Sequence, residues 1–279
     1  MTTSVATKPP KRRRGFCVSL RLFMLIVVAV GVWLGWLANG ARTQRLAVAE
    51  IRRPNNGGTI VYAEEMGSTP ASAFRRKPTP MTQVQSRVSW KWNWLRQELG
   101  RDYFDSVVVV RMNSPNAAKM AAVGKLPSLR VLELIDTKDL RDADWSSLKD
   151  LDRLELLRIY FPVTNAAVQY LTGMPRLRTL TLGGFPLDEA AFRRLGELTQ
   201  LEMLNLPGSK FQDEWLAHLA GMDVLRELFL PSSTIGDEGL IHLPKLSSLK
   251  TVDLRATRVT QDGVDKLKQA IPGLRVRFP

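Results

Sequence analysis

The sequence predicts an α/β solenoid: a parallel β-sheet on a concave side, helices on a convex side, and one apolar helix ahead of both. Three observations predict it. A six-residue apolar template returns at intervals of 23 to 25 residues from position 104 onward. The last three full copies are followed by segments with helical spacing of their apolar residues. Residues 22–38 (LFMLIVVAVGVWLGWLA) form 17 positions without a charge.

The chain has 279 residues, 40 Lys+Arg against 27 Asp+Glu, and a formal net charge of +13. Residues 1–21 hold +6, residues 22–101 hold +7, and residues 102–279 balance 23 bases with 23 acids. A nucleic-acid reader needs a basic face on its folded domain. The large domain is neutral, so no nucleic-acid partner is expected. One Cys excludes an internal disulfide framework and a Cys-based zinc cage, and two His exclude a His-rich metal site.

In chain order, residues 1–15 read as a basic cytoplasmic tip and residues 16–38 as a transmembrane signal anchor. The 17 uncharged residues span about 25 Å as a helix, near the lower limit for a bilayer core. Residues 16–20 lengthen the run, and Arg21 can snorkel to the headgroups. Trp33 and Trp36 suit the far interface. The more basic flank lies at the N-terminus, so the positive-inside rule puts it in the cytoplasm and exports the large domain. A cleaved secretory signal, with Ala38 and Gly40 as small residues, and a twin-arginine signal at RRRGF (12–16) are the competing readings. Both still export the domain. Cys17 precedes the apolar run and does not suit a lipoprotein cleavage box.

Residues 39–89 read as a juxtamembrane stalk and flexible linker. Residues 40–53 can continue the membrane helix, NNGG at 55–58 breaks it, and TIVYA at 59–63 is a short strand. Residues 66–86 are rich in Pro, Ser, Thr and basic side chains, the composition of a linker. WKWNWLRQEL at 90–99 is a helical pattern expected to cap the next domain, with contact to the membrane surface as the second reading.

Residues 90–279 carry the repeats. LRTLTL at 177–182, LEMLNL at 201–206, LRELFL at 225–230 and LKTVDL at 249–254 share the template L-x-x-L-x-L. FDSVVV at 104–109, LRVLEL at 129–134 and LELLRI at 154–159 are earlier copies, and RVRFP at 275–279 closes the series with a truncated strand. In L-x-L alternate side chains face one side of a short strand. DEWLAHLAGM (213–222), DEGLIHLPKL (237–246) and DGVDKLKQAI (262–271) are the expected convex helices, with Asp188, Asp213 and Asp237 at helix starts. One strand–helix unit cannot bury its own apolar face, whereas stacked units share a continuous core. Three residues past each L-x-L, Thr137, Ser209, Ser233 and Thr257 place hydroxyls that can satisfy turn backbone. Met112, Pro162 and Phe185 interrupt that series.

The template and the turns STIGDEGL (233–240) and TRVTQDGV (257–264) resemble leucine-rich-repeat proteins with long, helical outer arcs. The basic tip, the span ending VWLGW and WLRQELGRDYFDSVVVV at 94–110 resemble membrane-anchored bacterial leucine-rich-repeat proteins. The resemblance implies a leucine-rich-repeat solenoid acting as an interaction module. It supplies no catalytic residues, and a fold alone does not fix function.

No phosphate-cradling loop, HExxH, GxSxG or CxxC occurs, so no catalytic, cofactor or metal residue is expected. His218 and His242 lie 24 residues apart, at one place on adjacent turns, without a third ligand. The candidate site is the concave face. Side chains between the template leucines should point to solvent: Val108, Val131, Glu133, Leu156, Arg158, Thr179, Thr181, Met203, Asn205, Glu227, Phe229, Thr251 and Asp253. Tyr160 lies just past one strand. Val131, Leu156, Tyr160, Met203 and Phe229 are apolar where water favours polar groups, the composition of a protein-binding patch. The expected function is non-catalytic binding of a protein or peptide there. Lateral assembly in the cell envelope and an enzyme of unknown type are the alternatives.

Overall fold

The computed structural model describes residues 20–53, 58–62, 107–160, 165–184 and 187–278. The expected basic tip, Cys17, the linker at 66–86, the tryptophan cap at 90–99, Pro162 and Phe185 lie outside them. Two compact units divide the chain, residues 1–40 and 41–279.

Helix α1 (Leu20–Ile51) contains the apolar run. By length and composition it can cross a membrane. Its described side chains between Met24 and Gly40 are all exposed, Trp33 and Trp36 included.

In the second unit the elements follow in order: β1 (Thr59–Tyr62), β2 (Val107–Asn113), α2 (Ala117–Val123), β3 (Val131–Ile135), a 3-10 segment (Asp142–Leu148), β4 (Leu156–Ile159) and α3 (Asn165–Val168). Then come β5 (Thr179–Leu182), α4 (Glu189–Gly196), β6 (Met203–Asn205), a 3-10 segment (Asp213–Gly221), β7 (Glu227–Phe229) and α5 (Asp237–Leu240). The last are a 3-10 turn (Leu243–Lys245), β8 (Thr251–Asp253), α6 (Gln261–Ala270) and β9 (Arg275–Arg277). The sheet has nine strands in sequence order. β1 joins β2 antiparallel, and β2 to β9 are parallel neighbours. This is the leucine-rich-repeat solenoid that the period predicts.

The register is regular. Val110, Leu132, Leu157, Leu180, Leu204, Leu228, Val252 and Val276 form one row across eight strands. Five of these are leucines with no exposed surface. The next inward row begins Met112, Leu134, Ile159, Leu182, and Leu206, Leu230 and Leu254 repeat it, all fully buried. Six of the strands are followed by a left-handed residue: Ser114, Asp136, Gly184, Gly208, Ser232 and Ala256 have φ between 44° and 70°. That bend aims its amide at the next turn, as in Gly184 N–H to Pro207 O at 2.8 Å, Gly208 to Pro231 at 2.8 Å and Ser232 to Arg255 at 2.8 Å. Repetition therefore satisfies the backbone as well as burying the leucines.

Four expectations are corrected. The first repeat starts at Val107, not Phe104, because Val110 stands opposite Leu132 and Arg111 opposite Glu133. Four consecutive valines offer no alternation to set a phase, and the choice falls to Arg111 and Met112, which must face out and in. Two of the three expected convex helices are shorter or tighter than their spacing suggests: residues 213–221 form a 3-10 helix, and Pro244 lies in a 3-10 turn after a four-residue α5. All three aspartates act between turns. Asp188 caps its own α4, accepting the Ala191 N–H at 2.7 Å, and also accepts from Asn165 Nδ2 of the preceding turn at 2.6 Å. Asp213 instead accepts the Gly236 N–H at 3.0 Å, and Asp237 accepts the Thr260 N–H at 2.8 Å and its hydroxyl at 2.6 Å. These donors hold the Asp237 carboxyl below its ordinary pKa.

The fourth concerns the expected stalk. Ala47, Val48, Ile51 and Ile60 are buried in the same core as the repeat leucines. Their spacing at 47, 48 and 51 marks one face of a helix, and β1 pairs with the edge of β2 that no repeat covers. Gly58 allows the return: a Cβ there would stand 2.7 Å from Ile51 Cγ2. Residues 41–62 thus supply packing for the first repeat.

Candidate concave binding site

Two side-chain rows point from the concave side of the strands. One runs Val109, Val131, Leu156, Thr179, Met203, Glu227, Thr251, Arg275. The other runs Arg111, Glu133, Arg158, Thr181, Asn205, Phe229, Asp253, Arg277. All the strand residues expected on this face are there except Val108, which the phase correction replaces with Val109 and Arg111.

Exposure does not follow the expectation evenly. Val131 has no exposed surface and Leu156 only 8%. With Val108 and Val109 they form a second apolar cluster, against which Val61 of β1 packs. They are therefore interior residues, and the expected apolar patch shrinks to Met203 and Phe229, both half-buried, and Tyr160, which is exposed. Thr181 is buried, whereas Thr179, Thr251, Asn205, Glu227 and Arg158 are half-buried. The Asn205 Oδ1 is buried without a protein hydrogen-bond partner.

Two buried carboxylates organise the charges. Glu133, its side chain 3% exposed, lies between Arg158 at 2.8 Å and Arg111, which donates from Nε. Asp253 is equally buried. It accepts from the Arg255 backbone N–H at 3.2 Å, from Nε at 2.9 Å and from Nη2 at 2.6 Å, with Arg277 at 3.8 Å. Burial alone raises its pKa, but the Arg255 hydrogen bonds and the charges of Arg255 and Arg277 prevail and hold it low. Arg277 also lies 5.5 Å from the centre of the Phe229 ring, within cation–π reach. Sequence reading missed Arg277, Arg275 and Arg255; it counted RVRFP as a truncated strand, and extending the alternation to the residues on either side of Val276 would have placed Arg275 and Arg277 on this face.

Among the described residues no group of three or more His, Cys, Asp or Glu is placed to hold a metal ion. His218 approaches Glu189 at 3.4 Å, and Arg193 shares that carboxylate at 3.0 Å. In the hydroxyl series Ser233 and Thr257 each donate to the carbonyl three residues back at 2.7 Å, whereas the Ser209 Oγ is buried without a hydrogen-bond partner.

No family model matches the chain, and no curated protein matches it. Solved structures do resemble it. Internalin C2 from Listeria monocytogenes superposes with a TM-score of 0.44 at 17% identity, over 62% of this chain and 81% of that one. A protein from Bacteroides fragilis gives 0.40 at 16% identity, over 58% of this chain and 61% of that one. The fold itself is established by the strand register given above.

Proposed function

We propose that the chain is a membrane-anchored, non-catalytic module that binds a protein or peptide on its concave sheet. Residues 16–38 cross the bilayer, the basic tip is cytoplasmic, and the repeat domain is exported. The observation that carries the binding role is the concave surface from β5 to β9. There Met203, Asn205, Phe229 and Arg277 combine half-buried apolar groups with hydrogen-bonding and charged ones, the mixture found at protein interfaces. The exposed Trp33 and Trp36 near the end of an apolar run support the anchor.

Full-length protein in detergent, used as bait for envelope proteins, tests the binding role. A stoichiometric partner lost on Phe229→Asp with Met203→Asp supports it; a partner retained by that variant rules out this surface. A lateral-assembly role draws on a different feature. Ile241, 69% exposed on the convex side, lines an apolar groove of about 340 Å³ with Leu240, Pro244 and Leu267. Self-association abolished by Ile241→Glu would favour it. For the anchor, protease added to spheroplasts should digest the repeat domain, and full protection would reverse the orientation.

A further inference from the structure

We infer that the partner surface is selective, and that the last three turns of the concave sheet take an extended acidic peptide. This rests on the concave-binding reading and adds the chemistry of the ligand. In the first three turns charges are matched. Arg111 and Arg158 share Glu133, and Arg130 lies 3.8 Å from Glu155. In the last three turns they are not. Arg275 and Arg277 lie on the concave rows with Glu227 and Asp253, and Arg226, Lys250 and Arg255 flank the strands, Arg226 next to Glu202, which lies 3.8 Å from Arg178. Asp253 is occupied, since Arg255 engages both its oxygens. Arg226, Lys250 and Arg275 are exposed and make no ion pair among the described residues. Three cations that make no ion pair thus lie on or beside the strands that carry the half-buried Phe229.

Geometry narrows the ligand. Arg275 and Arg277 are alternate residues of one strand and project on the same side, about 6.6 Å apart along the chain. Carboxylates two residues apart on an extended peptide repeat at the same distance. The residue between them would face away, and a neighbouring apolar side chain can lie on Phe229 beside the Arg277 guanidinium. The Glu227 and Asp253 carboxylates, set among the cations, oppose an uninterrupted phosphate backbone. An acidic peptide therefore fits better than nucleic acid.

The test uses the full chain in phosphatidylcholine nanodiscs and fluorescence anisotropy. The probes are a labelled nonapeptide alternating Glu with Val, its Lys–Val and Thr–Val counterparts, and an oligo-dT strand. The Glu peptide is expected to bind, to weaken with salt, and to lose at least tenfold in affinity on Lys250→Glu with Arg275→Glu. The double variant should keep the wild-type melting temperature, since both side chains are exposed. Arg194→Glu, on the convex α4, should change nothing. Failure of the Glu peptide to bind overturns the inference. If the Thr or Lys peptide then binds in a way that Phe229→Asp removes, acid selectivity falls and concave binding stands. If the Glu peptide binds but is lost on Arg194→Glu and not on the concave reversal, both fall. Equal binding of oligo-dT, sensitive to the same reversal, overturns the peptide assignment in favour of a polyanion.

Discussion

Strands β2–β4 and strands β7–β9 share one backbone and differ in what their concave side chains leave undone. On the first group Val109, Val131 and Leu156 are buried, and Glu133 has an arginine on either side. On the last group Phe229 is half-buried, and Arg275, with Arg226 and Lys250 beside the strands, is exposed and makes no ion pair among the described residues. The difference teaches that a solenoid need not offer its whole inner curve for binding. Turns near the end that β1 and α1 cover are finished internally, and turns away from it keep unspent donors.

The comparison can be sharpened most strongly by truncation. A chain beginning at residue 90 loses Val48, Ile51 and Ile60 from the core and exposes the outer edge of β2. Burying two large aliphatic side chains alone is worth roughly 3–6 kcal/mol. Urea unfolding should therefore find it less stable than a chain beginning at residue 41 by about 4 kcal/mol. Equal stability would remove residues 41–62 from the fold's support. Next in size is Leu204→Ala in the central core row, expected to cost about 3 kcal/mol, against less than 1 kcal/mol for Lys250→Ala on the open surface.

Glu133→Ala separates the two regions directly. It leaves two arginines without their shared carboxylate, and hydrogen bonds to charged groups contribute about 1.5–3 kcal/mol each. Arg111 is half exposed to water, so a loss of about 2 kcal/mol in total is expected. Acidic-peptide binding at the other end should be unchanged. Gly263→Ala acts on the convex ladder, because its Cβ would stand 2.1 Å from Asp237 Oδ1 and displace that carboxylate from Thr260. About 1 kcal/mol is expected, and a neutral result would demote the ladder.

The smallest effect is in pH. Asp237 has a lowered folded pKa, so its contribution is complete above the ordinary carboxylate pKa and disappears as pH falls through the folded value. The stability gap between wild type and Asp237→Asn, measured by urea unfolding, should shrink as pH drops from 6 toward 3. A gap that widens on acidification would refute the assignment.

Most of the fold was legible because repetition is redundant: the seven full copies of L-x-x-L-x-L set period and phase together. Phase failed only at Val107–Val110, where the alternation disappears. The covering role of Ala47, Val48 and Ile51 was illegible because three apolar residues beside a membrane span read as its continuation. On the concave face, identity of position was readable and exposure was not. Val131 and Thr179 hold equivalent places in the template, and only their neighbours make one interior and the other half-open. The helix-start aspartates were located correctly, but reach to the next turn is a property of stacking that one repeat cannot reveal.

Site-specific photo-crosslinking in cells bears on concave docking most directly, with benzoylphenylalanine placed at Phe229, at Arg275 and, on the convex side, at Ile241. Adducts with a distinct protein from positions 229 and 275, and none from 241, are expected. Adducts from position 241 alone would show that the partner meets the convex side and would contradict a binding role for the inner curve.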